Sequence, residues 1–458
     1  MKIIRQIRNY IKRSFDRIRN ERFKNNLLQA IPFWVASLLT GLVAVLYAKL
    51  FLYAEHGTAY ILKNYAWLIF IITPVCFVAA WWVVIKFSPY ARGSGIPQVM
   101  ASIELATPKY IDKVNKLLSI RIIIVKMFSS LVLAFGGGVI GREGPTIQIA
   151  GSIFRKVNQW LPKWWPKISK RNMIMTGAAA GLAAAFNTPL GGIVFAVEEL
   201  TKTHISYFKT ALFTAIIIAG LTAQALLGPY LYLGYPVISN LSSYILFAVA
   251  IVAIVSGLLG SIMSKMILAL LHWKSKFRFK YQHILYIAVC AFIVASVAYF
   301  LDARMLGSGK DIMANTLFTA DKYSSWYVPG LRIAGPILSF TTGAAGGVFA
   351  PSLGAGASIG SVLAGWMHLS VADTNLLILA GMVGFLTGVT RTPFTSAILV
   401  LEMTDRHNVI FHLMLAGMLA SLASLLIDRH SFYDHLKIQY MHDVHHEKEE
   451  LKAAPLGK

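Results

Sequence analysis

Apolar segments of membrane-spanning length recur along the chain, and this feature limits the fold more than any other. Residues 28–54, 122–141 and 243–271 are examples, and several segments exceed the roughly 20 residues that a helix needs to cross the hydrocarbon core. The runs are continuous, whereas a membrane β-barrel would show alternation. Of the 458 residues, 56% are hydrophobic and 14% are charged, which is too apolar for a soluble protein of this length. The sequence therefore predicts an all-α polytopic membrane protein.

The net charge of +23 has a simple explanation in such a protein. The basic residues lie between apolar segments, as the positive-inside rule describes, so nucleic-acid binding is not predicted. Residues 1–27 are strongly basic and are predicted to form a cytoplasmic helix on anionic lipid. The basic loop 272–283 and the short charged tail 438–458 are also predicted to be cytoplasmic. Both termini should therefore lie in the cytoplasm, and the bacterial inner membrane is the expected location.

Three motifs occur in the same order in both halves of the chain. They are GSG at 93–95 and 307–309, a Gly-rich segment ending in proline at 136–145 and 343–351, and Thr-Pro followed by glutamate at 188–198 and 392–402. Duplicated halves with broken helices at matching positions are typical of secondary transporters. The sequence predicts a first membrane repeat at 28–225, a connection at 226–245 and a second repeat at 246–437. The residues alone leave open whether the repeats are parallel or inverted.

Glycine and proline break the helices of each half at membrane depth, where irregular backbone is tolerated if it lines a cavity. The first N–H groups of a helix lack intrahelical partners, and their partial positive charge favours anions. Helices are predicted to begin at 93–95, 141–145 and 346–351, because glycine lets the backbone approach an ion and proline fits a first turn. Three such N-termini pointing at one place would bind an anion weakly enough for conduction.

Four of these features resemble the anion-site motifs of the CLC family of chloride channels and transporters. They are GSGIP at 93–97, GREGPTIQIAGSI at 141–153, GGVFAP at 346–351 and the late Tyr433. FNTPLGGIVFAVEEL at 186–200 is similar to the same family, and the resemblance extends over about residues 28–437. It implies an inverted-repeat fold, usually in a homodimer with a separate pore in each subunit, and no cofactor other than bound chloride. Gln98 departs from the glutamate of many relatives, and we expect it to affect local pairing rather than the ion path.

The resemblance also implies roles for individual residues. Ser94 and Tyr433 would bind the central chloride through their hydroxyls, and Val348 and Phe349 would bind it through their backbone N–H groups. Arg142 is interpreted as a structural or field-setting residue rather than a direct ligand. The supporting helix N-termini would be formed by Gly93, Gly95, Gly141, Arg142, Gly144 and Gly347.

Glu143 is interpreted as the external gate. An acid within a membrane segment is a functional hypothesis by default, and a pair with Arg142 would be strained because adjacent helical residues point about 100° apart. By resemblance, the carboxylate of Glu143 can occupy the outer anion position, and protonation would release it so that an anion replaces it.

Glu198 and Glu199 are adjacent but are assigned different roles. Glu198 matches Glu402 in the second half, which predicts a shared structural role such as pairing with a basic loop. Glu199 instead matches Met403, so it has no acidic counterpart. Glu199 also corresponds, in the resemblance, to the internal proton-transfer glutamate of the family's exchangers, and it is interpreted as the internal proton relay.

These residues together predict a bacterial-type chloride/proton antiporter, with a passive chloride channel on the same fold as the alternative. An enzyme is not predicted, because the sequence has no hydrophilic catalytic cluster such as HExxH. No metal site is predicted either. Lys126 is interpreted either as a field-setting residue or as a lysine that snorkels to the interface. The C-terminal histidines are interpreted as part of a solvated tail, and they are His435, His442, His445 and His446.

Overall fold

The computed structural model describes residues 12–13, 15–200, 209–228, 231–320 and 322–453. In these ranges the regular structure is helical, as predicted, with two isolated β-bridges and no strand. Part of the predicted N-terminal helix (1–11 and 14) and the end of the tail (454–458) lie outside the described residues.

In chain order the helices are α1 (Glu21–Asn64), α2 (Ile69–Phe87), α3 (Ile96–Glu104), α4 (Ile111–Leu117), α5 (Ile120–Phe135), α6 (Glu143–Trp160), α7 (Lys170–Phe186), α8 (Pro189–Phe195), α9 (Lys209–Leu227), α10 (Ile245–Ser275), α11 (Lys280–Phe300), α12 (Lys310–Phe318), α13 (Val328–Phe340), α14 (Phe349–Trp366), α15 (Val371–Thr390), α16 (Pro393–Thr404), α17 (Ile410–Ser424) and α18 (Phe432–Ala453).

Eight helical segments among the described residues are long and apolar enough to cross a membrane. The first, α1, has 44 residues and is about 66 Å long at 1.5 Å per residue, so it extends well beyond the hydrocarbon core. It begins at Glu21, where the Asn20 side chain accepts a hydrogen bond from the Phe23 N–H at 3.1 Å. Residues 21–27 of the predicted basic segment therefore belong to the first spanning helix.

The two halves contain the same series of elements. The short helices α3 and α12 both have nine residues and follow a left-handed glycine, Gly95 (φ 107°) or Gly309 (φ 91°). The helices α6 and α14 both have 18 residues. Farther along, α7 and α15 both end at a left-handed residue, and a proline then begins α8 and α16. The connection between the halves, described at 228 and 231–244, is not helical.

Two glutamates join the halves reciprocally where α8 lies against α16. The carboxylate of Glu198, from the first half, accepts hydrogen bonds from the first turn of α16, and that of Glu402 accepts them from the first turn of α8. Such an exchange is what two-fold symmetry requires. The shared structural role predicted for Glu198 is confirmed, but its partner is a helix N-terminus and not a basic loop. The bonds are Phe394 N to Glu198 Oε1 (3.1 Å), Thr395 N to Glu198 Oε2 (2.6 Å), Leu190 N to Glu402 Oε1 (3.1 Å) and Gly191 N to Glu402 Oε2 (2.8 Å).

The centre of the molecule is formed by α14 and α15, which pack closely through glycines. The most apolar stretch of α15 is 89% buried within the protein, whereas the other spanning helices present much of their surface outward. A Cβ atom added at Gly360 would lie 2.7 Å from the Cα of Ile378, so the two backbones touch there. This close contact fixes the direction of α14, whose N-terminus lies at the candidate site.

Candidate anion-binding site

The three predicted helix starts come together, because their loops hydrogen-bond to one another. The Gly93 N–H donates to the Ala344 carbonyl at 2.9 Å, and the Gly346 N–H donates to the Gly93 carbonyl at 3.1 Å. Gly141 and Gly347 exchange two hydrogen bonds, of 2.7 and 2.9 Å. The N-termini of α3, α6 and α14 are thus held at one place, although the residues are more than 200 positions apart in the chain.

Two positions of this junction require glycine, because other atoms occupy the space that a Cβ atom would need. The Ser94 hydroxyl lies where a Cβ at Gly144 would be, so the loop before α3 touches the first turn of α6. In the same way, an oxygen of Glu143 lies where a Cβ at Gly141 would be. Side chains at these two positions would separate the three loops.

Backbone N–H groups of two helices point into the junction. In α6 the first intrahelical bond is donated by Thr146 to the Arg142 carbonyl at 2.9 Å, and in α14 it is donated by Ser352 to the Val348 carbonyl at 2.9 Å. The N–H groups of Val348 and Phe349 precede that first bond, so the helix itself does not use them. The two residues are buried, with 0% and 1% of their surface exposed, and their role as anion donors stays a prediction.

The hydroxyls of Ser94 and Tyr433 meet on one side of this junction. The two side chains are 1% and 0% exposed, and Tyr433 lies in the first turn of α18. The hydroxyls are close together but do not reach hydrogen-bond geometry with each other, and neither has another hydrogen-bond partner among the described residues. Two buried hydroxyls that lack protein partners are unusual, and they point to a ligand or water that accepts from them.

Glu143 is the first residue of α6 and is completely buried. Its Oε1 accepts a long hydrogen bond of 3.5 Å from the Tyr232 hydroxyl. Its Oε2 lies against Gly141 and has no hydrogen-bond partner among the described residues. The first-turn atoms of α14 are adjacent, since a Cβ at Gly141 would be 3.1 Å from the Cβ of Ala350. The carboxylate therefore occupies a position beside two helix N-termini.

A cavity of about 210 Å³ adjoins Glu143, and neither Ser94 nor Tyr433 lines it. Its lining combines basic residues from separate elements with two acids. The sequence did not identify Tyr232 and Lys310 as site residues, because both lie outside the recognised motifs. The charged and phenolic side chains that line the cavity are Lys49, Glu55, Arg142, Glu143, Tyr232 and Lys310.

Glu199 lies on a widened, π-helical turn at 196–200 that follows α8. Such turns are frequent at functional sites because they re-aim side chains. Glu199 is 8% exposed, whereas its neighbour Glu198 faces α16. The two acids therefore have different surroundings, as the sequence predicts, and residues 201–208 beyond them lie outside the described part of the chain.

Lys126 and Gln98 both support the loop that precedes α3. Lys126 is 0% exposed and its ammonium donates to the Arg92 carbonyl at 3.5 Å, so the interpretation as a snorkelling lysine is wrong. The Gln98 amide donates to the carbonyls of Arg92 (2.7 Å) and Tyr90 (3.2 Å), which confirms that its effect is on local pairing. Both side chains therefore hold the backbone that places Ser94.

The segment predicted as a solvated tail packs partly against the protein. In α18, Tyr440 and Val444 are buried, and Asp443 forms an ion pair with Arg92 at 2.6 Å. The interpretation of the C-terminal histidines as solvated is wrong for His445, which is partly buried, but not for His435, whose side chain is 37% exposed. The His446 side chain lies outside the described residues. His435 hydrogen-bonds Asp428 at 3.0 Å, the His445 ring lies against Tyr110 with centroids 5.3 Å apart, and His435 lies near two possible metal ligands, Asp428 and His430.

The fold defines a class of protein, the helical membrane proteins of two inverted repeats, here with helix N-termini from both repeats meeting between them. The sequence model described as "Voltage gated chloride channel" matches residues 75–425. The chain therefore belongs to this family, as the motifs predict, and is an integral membrane protein.

Similar proteins extend over most of the chain. It is 27% identical over 436 residues to the H(+)/Cl(-) exchange transporter ClcA of Salmonella arizonae, covering 90% of this chain and 89% of that protein. Two solved structures each cover 90% of this chain and 98% of their own. They are that of a slow cyanobacterial Cl-/H+ antiporter (TM-score 0.80, 22% identity) and that of a CLC-type fluoride/proton antiporter (TM-score 0.74, 20% identity). These matches confirm the predicted fold class.

Proposed function

We propose that this protein exchanges chloride for protons across the membrane. The observation that carries the proposal is the position of the Glu143 carboxylate, folded against the N-termini of α6 and α14. A protonatable group in an anion position couples the two ions, because it competes with the anion only when it is charged. The Salmonella relative and the cyanobacterial protein of known structure are both described as chloride/proton exchangers, which supports this assignment.

In this proposal chloride binds at the junction of the three loops. The hydroxyls of Ser94 and Tyr433 turn their protons toward the ion, and the N–H groups of Val348 and Phe349 donate from the opposite side. Four neutral donors and the helix ends bind the ion without a full positive charge, so it can also leave. A serine at this position favours chloride over fluoride or nitrate, as the family resemblance implies.

Protons take a separate path on the inner side and join the chloride path at Glu143. Glu199 receives a proton from the cytoplasm, and Glu143 exchanges protons with the outer cavity. When Glu143 is protonated, it loses its attraction to the two helix N-termini and moves away, and chloride takes its place. The buried position of both acids keeps their protons from exchanging freely with water.

The proposed setting follows from the family and the charge distribution. The protein lies in the bacterial inner membrane with both termini in the cytoplasm, and it is surrounded by lipid. It works as a homodimer in which each subunit has its own pore, and it uses no cofactor.

Reconstitution in liposomes tests the proposal directly. An outward chloride gradient is imposed, and the external pH is recorded while a potassium/valinomycin clamp fixes the membrane potential. We expect protons to move uphill, driven by chloride. Chloride flux without uphill proton movement would contradict antiport and would favour a passive channel.

A further inference from the structure

We propose that Tyr232 is a positioning residue for the outer gate, whose hydroxyl holds the ionised Glu143 carboxylate in the closed position. The inference rests on the gate role proposed for Glu143. Tyr232 belongs to the connection between the repeats and lies in none of the duplicated motifs.

The direct contact is between two buried groups. The Tyr232 hydroxyl donates to Glu143 Oε1 at 3.5 Å, and the two residues are 4% and 0% exposed. Among the described residues, the other carboxylate oxygen has no hydrogen-bond partner. A phenol donor thus contributes to holding a buried charged group whose other oxygen lacks a protein partner among the described residues, and hydrogen bonds to ionised groups are stronger than neutral ones.

The ring of Tyr232 is held from two sides. Phe186 packs edge-on against it with ring centroids 5.1 Å apart, and Phe186 also contacts Phe349 at 5.5 Å. The Lys310 ammonium lies 4.8 Å from the ring centroid. A cation over the ring face draws electron density from the phenol, which makes its hydroxyl a better donor. The chloride-site residue Phe349, the ring of Tyr232 and the start of α12 are therefore linked through direct contacts.

Other charged and phenolic groups also surround Glu143, and the test must distinguish their effects on the carboxylate from the effect of the Tyr232 hydroxyl. Arg142 precedes Glu143 in the chain, Lys310 begins α12, and Lys49 and Glu55 approach from α1. Tyr47 and Tyr433 are further buried phenols in the surroundings of Glu143. Removing the Tyr232 hydroxyl alone leaves all of these groups in place.

The test is Tyr232→Phe, which keeps the ring and its contacts with Phe186 and Lys310. Chloride flux is measured in liposomes between pH 4 and pH 8 (roughly the range in which a buried carboxyl titrates). Without the phenol donor the charged, closed gate is less stable, so the gate is neutralised at higher pH. We expect the pH of half-maximal flux to rise by about 0.5 to 1 unit, which is roughly a three- to tenfold change in proton concentration.

Two controls make the result specific. Tyr235→Phe removes a hydroxyl from the same connection at a residue that is 61% exposed, and it should leave the pH profile unchanged. In a Glu143→Gln background the gate cannot ionise, so adding Tyr232→Phe should change nothing. A shift of the same size in that background would show that the phenol acts elsewhere, and it would overturn the inference.

Failure of the inference can be told apart from failure of the proposed function. If flux through the unmodified protein depends on pH and Tyr232→Phe leaves its profile unchanged, the inference alone is overturned. If flux through the unmodified protein does not vary with pH, the gate role of Glu143 is overturned and the inference with it.

Discussion

The helices α6 and α14 have the same length and begin at loops that hydrogen-bond to each other, yet their first residues differ. In the first half this residue is Glu143, and in the second half it is Phe349. Similarly, the position of Glu199 is taken by Met403 in the second half. The backbone that forms helix N-termini was kept in both halves, whereas the acids proposed for proton transfer occur in one half only. The backbone that forms the helix N-termini therefore does not depend on the acids that are proposed to carry protons.

The two GSG loops show the same separation. Their glycines have similar left-handed φ angles, 63° and 107° in the first half and 69° and 91° in the second. In the first half Ser94 lies near Tyr433 at the proposed chloride site. In the second half the Ser308 N–H donates to Glu55 Oε1 at 2.8 Å, so a carboxylate from α1 already caps the loop. The loop at 93–95 is thus the one proposed to bind a chloride ion that enters and leaves. The loop at 307–309 is instead bound by the Glu55 carboxylate, which belongs to the protein.

The strongest test of this asymmetry is Glu143→Gln. Glutamine has nearly the same shape but cannot be ionised, so the gate should lose its proton chemistry while the chloride path stays open. We expect uphill proton movement to fall to the background of empty liposomes and chloride flux to persist, as measured by pH and chloride electrodes. Proton coupling that survives this change would contradict the role of Glu143.

Glu199→Gln, with Glu198→Gln as its matched control, tests the inner acid. We expect Glu199→Gln to remove proton coupling with the outer gate intact. The control changes the adjacent acid, which caps α16, so it should preserve coupling and lower the free energy of unfolding by about 1–2 kcal/mol. Equal effects of the two variants on coupling would argue that the turn as a whole, and not Glu199, matters.

A smaller difference is expected between substitutions of the two equivalent serines, Ser94 and Ser308, in their effect on chloride affinity. Ser94→Ala removes a hydroxyl donor from the proposed chloride site, and we expect chloride affinity to fall roughly two- to tenfold in calorimetric titrations. Ser308→Ala keeps the N–H that binds Glu55, so affinity should change by less than about twofold. If the two substitutions weaken binding equally, the loops are not functionally distinct.

The smallest effect is expected for Glu55→Gln. The amide oxygen can still accept from the Ser308 N–H, but the charge is lost, so thermal unfolding should show a loss of about 1 kcal/mol with normal coupling. Asp311→Asn is the control, because it removes a charge from the first turn of α12 and leaves the bond between Ser308 and Glu55 in place; it should cost about 0.5 kcal/mol through the helix dipole. Lost coupling in Glu55→Gln would show that the second loop takes part in transport.

The sequence predicted those parts of the molecule that depend on local chemistry. The helix starts at 93–95, 141–145 and 346–351 follow from glycine and proline, and the duplicated motifs brought Ser94 into the candidate site. Tyr433 was identified only by its resemblance to a family, since a tyrosine near a membrane edge is common. The structure places it at the junction by means of α18.

Contacts between distant segments could not be predicted. Tyr232 lies in an irregular connection that has neither helical periodicity nor a motif, and its ring packs against Phe186 and Lys310, which the sequence does not bring near it. Lys126 could not be placed either, because a lysine within an apolar run can extend its side chain to the membrane interface. Its burial depends on the Arg92 carbonyl, which another loop supplies.

The reciprocal bonds of Glu198 and Glu402 have a consequence for how the chain is made. Among the described residues, the first-turn amides of Leu190 and Gly191 are paired by a carboxylate that lies more than 200 residues later. During synthesis the first half therefore enters the bilayer with one helix end incomplete, and the arrival of the second half completes it. The reciprocal bonds between α8 and α16 join the two halves of one chain in the way that a symmetric interface joins two identical subunits. Two separately expressed halves should thus find each other in the membrane as such subunits do.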